Sequence, residues 1–128
     1  TRSLCDWSSD VCSSDLTIDK KSEGDIGLGR GPVVYRGPNM NPHVVQRLVD
    51  AGRDRGIPIQ LAASGRATPT DANVLQTTRS GVATGLVSVP NRYMHSAVET
   101  ISLDDADRAA DLLAAFVRGL EGGINWAP

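Results

Sequence analysis

The sequence predicts an α/β fold, with helices layered on a sheet as α/β/α. The order of the elements carries this, and composition bounds the core. Short apolar runs of strand length alternate with segments of helical period, in the order β-α-β-α-β-β-α. Aromatic residues are 4% of the chain, so the core must be built from Val, Leu, Ile and Ala.

The first strand is expected at Pro32-Val33-Val34-Tyr35-Arg36, after a glycine-rich stretch in which Gly27, Gly29 and Gly31 alternate. That stretch looks like a phosphate-cradling loop, but a dinucleotide fingerprint needs a strand before it and a helix after it. Here a strand follows, so the stretch reads as a glycine turn. Asn41-Pro42 opens a helix, since Asn caps and Pro suits the first helical position. Val44, Val45, Leu48, Val49 and Ala51 keep its period, and Gly56 with Pro58 ends it.

Ile57 to Ala63 reads as a short strand and Ser64 to Pro69 as a loop. Thr70 is placed to cap a helix from Asp71 to about Arg79. Val82 to Val89 is the most apolar strand candidate, and its lack of alternation suits a central strand covered on both faces. Val98 to Ser102 is a short extended piece. Ser102 then caps the last helix, with Asp105 completing a capping-box-like pattern and Asp104, Asp105 and Asp107 favouring the helix dipole. Ala106, Ala109, Ala110, Leu113, Phe116, Val117 and Leu120 form its apolar stripe, and Gly122-Gly123 releases the chain.

The first sixteen residues stand apart. Cys5 to Leu16 has neither a helical nor a strand period, and it back-translates into codons resembling a common sequencing-library adapter read in frame. Residues 1–16 are therefore expected to be adapter-derived, non-native and disordered, with residues 17–128 as the native part. The segment lacks the apolar core of a signal peptide. Cys5 and Cys12, the only cysteines, both lie in it, at a spacing that fits no zinc or redox motif. No disulfide or thiolate metal site is expected, and a native part without cysteine is consistent with a cytoplasmic protein.

Setting aside the one arginine and three aspartates of that segment leaves twelve Lys plus Arg against twelve Asp plus Glu. This balance argues against nucleic acid or an anionic membrane as the main partner. No apolar run approaches the length of a membrane span.

Candidate chemistry centres on Arg92-Tyr93-Met94-His95-Ser96, just past the apolar run that ends at Pro90. Ligands bind at strand ends in α/β sheets, and a neutral imidazole held there suits zinc or cobalt. A lone histidine is nonetheless more often structural. Glu99, four residues on, is placed to hold the second imidazole nitrogen or to form a structural ion pair. Arg92 and Tyr93 flank the histidine and either contact substrate or pack the loop. Asp71 sits in a first helical turn, where backbone N–H groups favour a carboxylate whether or not it has a further role. His43, at a helix start, reads as solvent-facing and without a role.

In order, the segments Asp25-Ile26-Gly27-Leu28-Gly29-Arg30-Gly31-Pro32-Val33, Arg36-Gly37-Pro38-Asn39-Met40-Asn41-Pro42, Thr70-Asp71-Ala72-Asn73 and Gly81 to Ser96 resemble the dinuclear metal aminopeptidases of the glutamyl aminopeptidase and endoglucanase-M family, the TET-type enzymes. The resemblance runs from Thr17 to about Leu120. It implies a fragment of a two-metal aminopeptidase catalytic domain with a mixed central sheet. The implied activity is removal of N-terminal residues from peptides by water activated between two divalent metal ions, zinc or cobalt. His95 inherits the ligand role of the Arg-Tyr-x-His motif. Asp71 inherits a supporting position, although Arg66-Ala67-Thr68-Pro69 replaces the glycines usual before its motif.

The family's His-x-Asp and Glu-Glu motifs are absent from this sequence. The expectation is therefore a C-terminal part with at most one metal ligand and no general base, inactive alone. Its implied partners are a peptide substrate, the missing N-terminal half and, when intact, further copies in a homo-oligomer. The alternatives are a non-catalytic assembly module of the same fold and a related two-metal amidohydrolase or deacylase.

Overall fold

The computed structural model describes residues 25–127. Its fold is mixed α/β: β1 (Val33–Arg36), α1 (Pro42–Arg55), β2 (Gln60–Ala63), α2 (Asp71–Leu75), β3 (Val87–Ser88), β4 (Asn91–Arg92), β5 (Thr100–Ile101) and α3 (Leu103–Arg118). A three-stranded sheet has the order β2-β1-β3, with β2 parallel and β3 antiparallel to β1. A separate two-stranded ladder pairs β4 with β5. The assignments made for residues 1–16, including both cysteines, lie outside the described residues.

β1 is the central strand. Val33, Val34 and Tyr35 are all buried, and α1 packs on it through Val44, Val45 and Leu48. Helix α1 begins and ends as its sequence predicts. Asn41 Oδ1 accepts from the N–H groups of His43 (2.9 Å) and Val44 (3.2 Å), and Pro42 follows at the first helical position. Gly56 closes the helix at φ 65°, where its N–H and that of Ile57 donate to Arg53 and Gly52 carbonyls. α3 packs against α1, and its Leu112 is fully buried.

The 82–89 run is not the central, doubly covered strand. Only Val87–Ser88 pairs, at the edge of the sheet beside β1. Burial along the run alternates: Thr84, Leu86 and Ser88 point inward, while Val82 is 50% exposed. The upstream half is drawn onto α1 instead, where the Asn41 N–H donates to the Thr84 carbonyl at 2.7 Å. An added Cβ on Gly85 would meet Val44 Cγ1 at 2.6 Å, so this backbone lies directly on the helix.

Helix α2 stops at Leu75, four residues short of Arg79. The next residues form successive turns that bring the Val82 N–H to the Gln76 carbonyl at 3.2 Å. Thr70 stands at the N-cap without donating or accepting a side-chain cap bond, because its hydroxyl is engaged by Thr68 at 3.0 Å. Asn39 completes that buried cluster, with Nδ2 donating to Thr68 Oγ1 at 2.9 Å.

The apolar face of α3 is also offset from its predicted stripe. Asp105, Ala109 and Leu112 are buried, whereas Leu113 is 45% and Val117 61% exposed. The offset traces to Asp105, which does not close a capping box, and Ser102 makes no side-chain cap bond. The carboxylate reaches instead across the fold to the glycine turn, accepting from Gly29 N–H at 2.7 Å and Gly31 N–H at 2.8 Å. The turn that looks like an anion cradle is one, and its anion is internal. The Gln60 side chain fixes the same turn, accepting from Gly27 N–H and donating to the Gly27 and Gly31 carbonyls.

Beyond Gly123 the chain returns to the body. Asn41 Nδ2 donates to the Trp126 carbonyl at 2.7 Å, and the Arg47 guanidinium sits 5.6 Å from the Trp126 ring centroid.

Candidate functional site

Four of the five candidate residues fall on one loop. β4 and β5 pair with Asn91 opposite Ile101 and Arg92 opposite Thr100, and the segment between them carries Tyr93, His95 and Glu99. Asn91 is 2% exposed and Arg92 is half-buried, which roots the hairpin. Tyr93, 55% exposed, and the exposed His95 stand at its outer end. A loop raised from paired strands holds its side chains better than a free one.

Tyr93 (φ 59°) and His95 (φ 65°) both take left-handed backbone, where L-residues are disfavoured. Two bonds fold the chain there. The Ser96 N–H donates to the Tyr93 carbonyl at 3.0 Å, and the His95 N–H donates to Glu99 Oε1 at 2.5 Å. Glu99 Oε2 accepts from Asn91 Nδ2 at 3.1 Å. Glu99 is thus a partner of His95, as its spacing suggests, but it meets the main chain and not the second imidazole nitrogen. The two oxygens tie the loop tip to its buried root.

Asp71 lies elsewhere. It is exposed at the first position of α2 and lines an apolar concavity of about 720 Å³ with Leu75, Val82, Leu86, Phe116 and Trp126. None of Arg92, Tyr93, His95 or Glu99 lines that hollow. The sequence candidates therefore separate into a histidine loop and a helix start. His43, expected to be solvent-facing, is exposed.

Three features escaped the sequence reading: the Asn39–Thr68–Thr70 cluster beneath the Asp71 turn, the root Asn91, and the return of Trp126 onto α1. Only Asn91 had a local signal, as a polar residue eight positions before Glu99 and adjacent to the apolar run.

No group of three or more His, Cys, Asp or Glu side chains gathers among the described residues. An exposed imidazole on a fixed backbone suits a divalent metal as one donor, but such a site needs three or four protein ligands. The described residues thus supply part of a donor set and do not by themselves hold an ion. No helix among them is long and apolar enough to cross a membrane.

Comparison with known proteins gives this loop its context. Lysyl aminopeptidase of Pyrococcus furiosus is 45% identical over 111 residues, covering 84% of this chain and 32% of that protein. Among solved structures, an aminopeptidase from the archaeon Desulfurococcus kamchatkensis superposes with a TM-score of 0.73 at 36% identity, over 86% of this chain and 32% of that one. The TET1 peptidase of Pyrococcus horikoshii, which can assemble into a tetrahedron or a large octahedral shell, gives 0.65 at 29% identity, over 80% and 31%. The chain spans about a third of the length of these relatives. The M42 glutamyl aminopeptidase family matches residues 9–112, and the chain belongs to that family.

Proposed function

We propose that this chain is the C-terminal part of a metal-dependent aminopeptidase, in which His95 supplies one imidazole to a pair of divalent metal ions, zinc or cobalt. The observation that carries the reading is the exposed His95 on a hairpin whose backbone is fixed at the histidine itself. Family membership supports the reaction class. Bound metal ions would acidify a water and stabilise the oxyanion formed at the scissile carbonyl. The chain's own contribution is to fix the His95 main chain from which the imidazole projects and to keep Tyr93, two residues before it, exposed for substrate. Arg92 takes a supporting position at the loop root, and Asp71 a supporting position apart from it, at the start of α2.

The remaining ligands and the general base belong to the upstream part of the protein, so this chain alone is inactive. Exposed apolar side chains such as Val74, Leu113 and Val117 fit surfaces that the upstream part and further copies in a homo-oligomer cover. Residues 1–16 are adapter-derived on this reading, although the family match extends back to residue 9, and the absence of cysteine from residues 17–128 supports a cytoplasmic location.

The test joins residues 17–128 to the upstream two-thirds of the Pyrococcus furiosus relative. The chimera is expected to hydrolyse amino-acid p-nitroanilides with cobalt or zinc, to lose activity to a chelator, and to lose it with His95→Ala. Hydrolysis that survives both the chelator and that substitution would defeat the proposal.

A further inference from the structure

We infer that Glu99 and Asn91 form a positioning device for His95, an inference that rests on the reading of His95 as a metal ligand. The histidine takes a left-handed backbone at φ 65°, which an L-residue keeps only when its surroundings enforce it. The enforcing contact is short and charge-assisted: the His95 N–H donates to Glu99 Oε1 at 2.5 Å. A carboxylate on an exposed residue is normally free to swing among rotamers. Here its second oxygen accepts from Asn91 Nδ2 at 3.1 Å, and Asn91 is 2% exposed within β4. Rotational freedom is thus removed in sequence, from the buried amide to the carboxylate to the histidine backbone. Without this relay, the direction of the imidazole would be set only by the exposed turn between Tyr93 and Ser96.

The geometry also predicts which substitution is tolerated. Asn91 Oδ1 is buried with no hydrogen-bond partner. Glu99→Gln keeps an acceptor oxygen for the His95 N–H. Its amide nitrogen then donates to Asn91 Oδ1 once the Asn91 amide turns over. Glu99→Ala removes both bonds.

The experiment has two readouts. In the full 128-residue chain, hydrogen exchange by NMR is expected to show the His95 amide at least ~10-fold less protected in Glu99→Ala, with Glu99→Gln within ~3-fold of the parent. In the chimera described above, zinc affinity is expected to fall ~10–100-fold with Glu99→Ala and to recover with Glu99→Gln. A merely structural Glu99 would destabilise the hairpin yet leave zinc affinity unchanged, and that result overturns the proposal. If Glu99→Ala does not fold, Asn91→Ala carries the same test, because it releases the carboxylate without removing its bond to His95. Zinc affinity weakened at least ~3-fold supports the relay, and unchanged affinity overturns it. Zinc stoichiometry unaffected by His95→Ala would instead overturn the ligand reading, a failure separate from that of the relay.

Discussion

Replacing Asp105 with alanine removes the buried side chain that joins α3 to the glycine turn. The carboxylate is fully buried and accepts two main-chain bonds, at 2.7 Å from Gly29 and 2.8 Å from Gly31. Hydrogen bonds to a charged group contribute ~1.5–3 kcal/mol each, and the two N–H groups would lose their acceptors at once. The combined loss is ~3–6 kcal/mol, a large part of the ~5–15 kcal/mol that holds a domain together. With a urea slope of ~1–3 kcal/mol/M, the midpoint is expected to fall by about 2 M. Arg108→Ala provides the control. Arg108 lies 3.6 Å from the carboxylate, donates to the Gly29 carbonyl at 3.0 Å and is 35% exposed, so its loss should cost only about 1 kcal/mol. Chemical denaturation followed by circular dichroism measures both. A midpoint shift below about 0.5 M for Asp105→Ala, or an equal shift for Arg108→Ala, would refute the assignment of Asp105 as the internal anion of the turn.

Two further outcomes test the same frame. Gly31→Ala places a Cβ 1.9 Å from the Pro58 carbonyl oxygen at φ 98°, so the variant should not reach the native fold. Gly29→Ala, at φ 77° with nothing within 4 Å, should fold at a cost of ~1–2 kcal/mol, and equal losses in thermal melts would contradict the clash. Burial raises the Tyr35 hydroxyl from 10.0 to about 12. A group whose folded pKa lies above its unfolded one gives stability that is complete below the unfolded value and lost as pH rises through the folded one. Unfolding free energy should therefore fall between pH 10 and about 12, by up to about 2–3 kcal/mol, and Tyr35→Phe should abolish that part of the slope in alkaline denaturation series.

Elements whose limits are written in neighbouring residues were legible in the sequence. The Asn41-Pro42 start and Gly56 end of α1 depend on bonds no more than five residues away, and both stand where the sequence puts them. The 82–89 run was misread because apolar content does not record which neighbour a strand finds. Its upstream half bonds to Asn41 and lies on α1, and only its end reaches β1. The α3 stripe was misread for a related reason. A buried aspartate is invisible as a core residue until its partners, 74 to 76 positions away, are known. Once Asp105 faces inward, the helical period buries Ala109 and Leu112 and turns Leu113 and Val117 outward.

The candidate site divides along the same line. His95, Tyr93 and Arg92 lie within four residues of one another, so the sequence alone gathers them. Glu99 was legible as a neighbour but not in its contact. The carboxylate meets the histidine's main chain because the backbone there is left-handed, and no residue type in the motif demands that conformation. Asp71 could not be placed at all from sequence, since its distance from the histidine loop depends on how Asn39 and Thr68 seat the preceding turn. The loop that carries His95 is consequently held by local polar bonds and two short strands, whereas the body is held by apolar burial around β1. Damage to the two should separate. Substitutions at Leu112 or Val34 act on global stability, and substitutions at Glu99 or Asn91 act on the aim of one imidazole while the body stays folded.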